Sequence, residues 1–512
     1  MPTDHPLTLD GSPLTIAQVV SVARDGGKIA LDAKVTQRLN AMRAKLEALT
    51  TDGNAYYGIN TGFGSLARTR IDSEKLRELQ ANLIRSHAAG VGEPLAEDIV
   101  RAMMLLLAAS LSRGHSGVRP VVVETIIAWL NAGVTPVVPS LGSVGASGDL
   151  APLAHAVLAM MGEAPTMEGR TPQDAGIEPL TLEAKEGLAL INGTHLMAAC
   201  AALILDDYDR LWNAAIIANA MSIDAFRASD SYLDPRVHAA RNNTRTGTEA
   251  ANLQLLLKGS EILPSHRTDD PRVQDPYSFR CAPYVLGAAN DAANYVYEAT
   301  IRELGAVTDN PLLFENGGTL EVVSAGNFHG MPIALPLDTL AIAITHIAGI
   351  SERRVFAILA ASDPETHLLP YLSHGPGLHS GLMIAQYTSA ALVNEIAGLA
   401  SPASVINLPT SAGIEDYNSF GPRAASKAAR SLELTEMVVA IEIICAAEGV
   451  EFHRPLRSGP AVEEAIRRVR EVVPPFAADR SPAPAIEAVT ALIRSNAFGD
   501  IQDFAPSPAG GE

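Results

Sequence analysis

Long Ala- and Leu-rich segments in which apolar residues return every three or four positions constrain this chain more than any other feature, because that period suits helix and excludes half-buried strand. The clearest segment follows Pro422, a residue suited to a first helical turn. There Ala425, Ala428, Ala429, Leu432, Val438, Ile441 and Cys445 form one stripe. Comparable segments fall near 97–113, 152–162, 195–222, 338–360, 381–400 and 484–496. Two of them, 195–205 and 338–350, are apolar on almost every face, which implies burial among other helices or between copies of the chain. The expectation is a mainly α protein built on a large central bundle of long helices.

Composition narrows what such a bundle does. With 47% hydrophobic and 19% charged residues over 512 positions, the chain has the makeup of a large buried core. Its 38 Lys+Arg against 57 Asp+Glu leave a net charge of -19, which repels nucleic acid and anionic membrane surfaces and favours a small-molecule ligand. Cys200, Cys281 and Cys445 form neither a CxxC pair nor an even framework, so a reducing compartment is expected and a zinc cluster is not. The first residues, MPTDHPLTLDGS, carry no secretory signature. Charge-free stretches at 125–148 and 366–394 are broken by Gly, Pro, Asn, His and Ser before ~20 apolar residues accumulate, so no membrane span and a cytoplasmic location are expected.

Polar, Gly- and Pro-marked stretches at 51–66, 140–150, 163–181, 227–283 and 364–380 mix small residues with Tyr, His, Arg, Asn and Glu, a composition typical of site-forming loops. The loop Ser143-Val144-Gly145-Ala146-Ser147-Gly148-Asp149 is the most informative. One reading is a turn in which Ser147 or Asp149 caps a helix entered through Pro152. Another is covalent: if the Gly148 nitrogen attacks the Ala146 carbonyl and Ser147 then loses water, the three residues become a five-membered ring with an exocyclic methylene. That product is an electrophile, which the standard side chains do not supply. A nucleophile elbow fails because Asp149 stands where the second Gly is needed. The Gly62-Phe63-Gly64-Ser65-Leu66-Ala67 match to a dinucleotide fingerprint lacks the preceding apolar strand.

The triplet Ala146-Ser147-Gly148, together with Tyr57-Gly58-Ile59-Asn60-Thr61-Gly62-Phe63-Gly64, Asn192-Gly193-Thr194, Gln274-Asp275-Pro276-Tyr277-Ser278-Phe279-Arg280 and Gly326-Asn327-Phe328-His329-Gly330, resembles the aromatic amino acid lyase family. Order and spacing fit from about Leu7 to beyond Glu415, and the length is similar to the compact bacterial members. The resemblance implies a helical lyase fold with catalytic loops. It places the Tyr loop and the Ala-Ser-Gly loop in an N-terminal region at 1–200, the long-helix bundle at 201–470 and a short helical region and tail at 471–512, all in one catalytic unit. It implies a 4-methylidene-imidazol-5-one group formed autocatalytically from Ala146, Ser147 and Gly148, no metal or external cofactor, and a homotetramer with shared sites.

By the same resemblance Tyr57 is the base that removes a β-proton, Arg280 anchors the substrate carboxylate, Tyr277 assists near the prosthetic group and Asn192 bonds its ring oxygen. Asn327 and Phe328 line the site. A bidentate guanidinium is the apt carboxylate anchor, and a phenol of ordinary pKa near ~10 needs a lowered value to serve as base. His87, after Ser86, and Glu415, before Asp416, match the histidine-specific members, since a carboxylate accepts from an imidazole N–H. Ile414, Tyr417, His195, Met331 and His379 depart from that pattern. The expected activity is loss of ammonia from L-histidine to give urocanate. Alternatives are a tyrosine or phenylalanine ammonia-lyase, a 2,3-aminomutase and a lyase for a modified histidine. A metal-hydrolase reading of His87, His195, His329 and His379 lacks any close ligand pair, and an intact triplet argues against a non-catalytic scaffold.

Overall fold

In the computed structural model, which describes residues 5–50, 54–61, 71–167, 169–268 and 270–501, the periodic segments are helices. Glu97–Ser112, Leu150–Met160, His195–Phe226, Met331–Ala360, Met383–Leu399, Gly421–Glu451 and Ala483–Arg494 stand where the spacing of apolar residues places them, and Pro422 lies in a first turn. Gly62, Phe63 and Gly64 lie outside the described residues. Strand is confined to short ribbons: Leu7–Leu9 pairs in parallel with Ile29–Leu31, Val91–Pro94 antiparallel with Pro139–Leu141, and Leu312–Asn316 antiparallel with Thr319–Val323.

The chain divides into two compact units. The first comprises Met1–Leu203, Glu298–Leu337 and Pro402–Ser426. Its core contains Glu97–Ser112, buried at every position from Val100 to Ser112. A buried Arg101 is tolerated there because its guanidinium donates to the carbonyls of Val22, Ala23 and Leu130, satisfying the ends of Ile16–Arg24 and Pro120–Ala132.

The second unit comprises Ile204–Tyr297, Asp338–Ser401 and Lys427–Glu512. A buried charged cluster ties its apolar helices: Arg354 donates to both oxygens of Glu442, at 2.5 and 2.8 Å, and Ser222 Oγ donates to the same carboxylate at 2.7 Å. Such a tie ranks one sliding register of smooth helices above the others. The loop expected at 227–283 contains helices instead. Pro235–Arg241 starts on Asp234, whose carboxylate accepts from Arg236 N, and Thr244–Leu257 starts on Asn243, whose side chain accepts from Thr246 N. Local capping overrides the polar composition there. Among the described residues one helix, Met331–Ala360, is long and apolar enough to cross a membrane, and 61% of its most apolar window is buried inside the protein.

Candidate active site

The Ala146-Ser147-Gly148 loop is held by bonds that leave the two ring-closing groups, the Ala146 carbonyl and the Gly148 N–H, alone. Ser419 Oγ donates to Gly145 O at 3.0 Å and Phe420 N to Val144 O at 2.9 Å. Past the triplet, Asp149 N donates to Gly193 O at 2.8 Å and Gly193 N to Ser147 O at 3.2 Å. Among the described residues neither the Ala146 carbonyl nor the Gly148 N–H takes part in a hydrogen bond. Gly148 has φ +73°, and a Cβ there would fall on the Gly193 carbonyl, so only glycine fits. Asp149 is fully buried, and its carboxylate accepts from Leu196 N and Met197 N at the start of His195–Phe226, which clamps the loop to that helix. Burial raises its pKa to about 7.

A cavity of about 870 Å³ opens beside this loop, lined among others by Tyr57, His87, Ala146, Ser147, Asn192, Phe328 and Glu415. The sequence spreads these residues over more than 350 positions, and the first unit brings them together. Tyr57 sits in a turn where Gly58 has φ +70° and packs against Leu188, with no room for a side chain. His87 ends Leu76–His87, and its Nδ1–H donates to Leu83 O at 2.8 Å, which leaves Nε2 as an acceptor. Glu415 accepts from Ser147 Oγ at 3.3 Å and from Thr410 Oγ1 at 3.0 Å. Asn192 donates from Nδ2 to Asn310 O at 3.1 Å, while its buried Oδ1 has no partner among the described residues. Behind it the fully buried pair Lys185–Asp309, at 2.6 Å, fixes the 307–310 segment.

Other expected site residues stand elsewhere. Asn327 belongs to the first unit, but its Nδ2 is committed to the carbonyls of Val307 and Asp309. Tyr277 and Arg280 belong to the second unit. Arg280 donates to Asp275 O and Gln274 Oε1, its guanidinium lies 4.5 Å from the Tyr277 ring centroid, and Tyr277 is 70% exposed. His195 is buried with both ring nitrogens unpartnered among the described residues, and burial lowers its pKa to about 3. Asn82, Asn310 and His329 line the cavity without having been assigned to it, and Ile414 and Tyr417, which depart from the histidine-specific pattern, line it too. Asn82 carried a usable signal, one turn before Ser86 on the same helix. Among the described residues no three His, Cys, Asp or Glu side chains are placed to hold a metal ion.

A helical protein that presents an Ala-Ser-Gly loop, a tyrosine and a carboxylate to one cavity is of the lyase class described from the sequence. The aromatic amino acid lyase family matches residues 14–471, and the chain belongs to that family. It is similar to the histidine ammonia-lyase of Symbiobacterium thermophilum, 46% identical over 493 residues that cover 95% of this chain and 96% of that one. Among solved structures it is similar to histidine ammonia-lyase from Trypanosoma cruzi, with a TM-score of 0.89, 38% identity and coverage of 99% and 96%. Tyrosine aminomutase from Streptomyces globisporus is also similar, with a TM-score of 0.90, 33% identity and coverage of 97% and 98%.

Proposed function

We infer that this protein is an ammonia-lyase that converts L-histidine to urocanate and ammonia. The observation that carries this reading is that the Ser147 hydroxyl, Glu415 and His87 face one cavity. Closure of Ala146, Ser147 and Gly148 into the 4-methylidene-imidazol-5-one needs a free Gly148 nitrogen and a free Ala146 carbonyl, and it expels two waters. When formed, the group supplies the electrophile that turns the substrate's amino group into a leaving group. Loss of the Ser147 hydroxyl removes one donor from Glu415 Oε1, leaving that oxygen for an imidazole N–H. Tyr57 takes the β-proton, and Asn192 offers its second Nδ2–H to the oxygen of the prosthetic ring.

Among the described residues the cavity lining contains Glu415 and Asp416 but neither Lys nor Arg, whereas an amino acid substrate carries a carboxylate. We assign its anchor to Arg280, accompanied by Tyr277, from another copy of the chain, in a homotetramer. Met383–Leu399 supports assembly: it is rich in Ala, Leu and Ile, yet only Ala385, Ser389 and Ile396 are buried. All three thiols are free, which suits a reducing compartment, and we place the enzyme in the cytoplasm. A panel of histidine, tyrosine and phenylalanine with product identification tests the assignment. Histidine should have the highest kcat/KM and give urocanate, whereas a tyrosine preference or a β-amino acid product overturns it. Intact mass should fall short of the sequence mass by two waters, and Ser147→Ala should restore one-chain full mass and abolish turnover.

A further inference from the structure

Glu415 ends a turn, and among the described residues the Asp416 and Tyr417 that follow it make no main-chain hydrogen bond within the loop. Its turn is closed by Thr410 N donating to Glu415 O at 2.8 Å and Glu415 N to Thr410 O at 3.3 Å. Ser411 and Ala412 adopt φ of 51° and 54° there, a left-handed conformation costly for residues with a Cβ. Beyond Asp416 and Tyr417 the chain is anchored again at Asn418, whose N donates to Asn407 Oδ1 at 3.2 Å, and at Ser419, whose Oγ donates to Gly145 O. Ile414 within the turn and Tyr417 beyond it are 67% and 65% exposed and contribute little packing.

His329 crosses this gap. Its Nδ1 accepts from Met331 N at 3.2 Å, so the proton resides on Nε2, which donates to Tyr417 O at 2.9 Å. Among the described residues this is the one hydrogen bond made by the main chain of Asp416 and Tyr417. The ring also lies against that of Tyr417, with centroids 6.3 Å apart. The imidazole is itself fixed from behind, because Gly330 is packed so closely on Met197 and Ser419 that a Cβ would overlap both. A rigid loop at the head of Met331–Ala360 thus reaches a less constrained one through a single oriented N–H.

We propose that His329 is a positioning residue that holds the Glu415 loop in place through the main-chain carbonyl of Tyr417, so that the carboxylate meets the substrate ring; the kinetic part of this proposal rests on Glu415 reading that ring. His329 touches no reacting atom in this role. Its Nε2–H is the part that matters, and the end of a Gln side chain reproduces it whereas Asn, which mimics only Nδ1, does not reach.

The experiment compares His329→Asn, His329→Gln and Glu415→Gln as purified full-length enzymes. Each should still lose two waters, since the triplet loop is held independently by Ser419 and Gly193. His329→Asn should raise KM for L-histidine by about tenfold with a smaller change in kcat, the loss expected of one hydrogen bond to a binding group, and His329→Gln should restore most of it. The double variant of His329→Asn with Glu415→Gln should be no worse than Glu415→Gln alone. Amide hydrogen exchange should quicken across 410–417 in His329→Asn and return to the parent rate in His329→Gln. Unchanged exchange in His329→Asn, or Gln faring no better than Asn, overturns the proposal, as does an additive double variant. If Glu415→Gln leaves histidine KM untouched, the ring-reading role of Glu415 falls, while the exchange measurement still decides whether His329 holds the loop.

Discussion

At the residue scale, the two groups assigned to proton removal and carboxylate anchoring should separate in kinetics. Tyr57 faces the cavity from a turn shaped by Gly58, and phenylalanine fills the same space without a hydroxyl. Tyr57→Phe should lower kcat by about 10²-fold or more with little effect on histidine binding, because only the base is lost. Arg280 is held by Asp275 O and Gln274 Oε1 in a fixed orientation. Arg280→Lys replaces a planar fork by a point charge and should act mainly through a raised KM. Steady-state rates for both variants check the split, and near-parent turnover in Tyr57→Phe would remove the tyrosine from its role. Motif resemblance put these residues forward one by one and marked Ile414 as a departure bearing on the pocket, but it gave His329 no bond to make and passed over Asn82 despite its place one turn before Ser86. His329 owes its place to a contact between loops, meeting Tyr417 across 88 positions of chain.

The elements were legible in proportion to how far local chemistry decides them. Glu97–Ser112 and His195–Phe226 announce themselves because a buried helix must repeat apolar residues at its own period. Thr244–Leu257 does not, since its sequence is polar and its start depends on one Asn243 cap. The hairpin Leu312–Asn316 with Thr319–Val323 did carry a readable sign, Asn316-Gly317-Gly318: the glycines have φ of 58° and 88°, the left-handed pair a two-residue turn needs. The Ala146-Ser147-Gly148 loop was legible as composition, but the parallel bridge of Gly148 to Gly193 that shapes it was not. A paired substitution separates backbone strain from obstruction in that loop. Gly133, at the end of Pro120–Ala132, has φ +65° with nothing within 4 Å of a would-be Cβ, whereas Gly148 has φ +73° and meets the Gly193 carbonyl. Gly133→Ala should cost about 1 kcal/mol and leave water loss and activity intact. Gly148→Ala should yield inactive protein of full sequence mass, and a dehydrated, active Gly148→Ala would show that the close approach does not govern ring closure.

For the whole molecule, an active monomer in sedimentation would contradict a site completed by Arg280 of another copy. Stability against pH is set in part by opposing buried groups in the second unit. Burial raises Asp224 to a pKa of about 7, with Ser260 Oγ donating to its Oδ1 at 2.9 Å, and lowers His453 to about 4 while its Nε2 stays 2.8 Å from Ala225 O. An unfolded aspartate ionises near ~4, so between pH 4 and 7 the folded state alone holds the Asp224 proton and stability falls as pH rises. An unfolded histidine takes its proton near ~6.5, so between pH 6.5 and 4 the unfolded state alone holds the His453 proton and stability falls as pH drops. The two slopes oppose each other within one window, and each variant should expose the other. Asp224→Asn, which keeps the volume, should gain stability relative to the parent as pH rises from 4 to 7, by up to about 4 kcal/mol from a shift of about three pK units. His453→Gln, which keeps an N–H for Ala225 O, should gain relative to the parent as pH falls from 6.5 to 4, by up to about 3 kcal/mol. Thermal melts of parent and both variants at pH 4.5, 5.5, 6.5 and 7.5 read the crossing directly, and parallel curves would show that neither burial perturbs titration as the geometry requires.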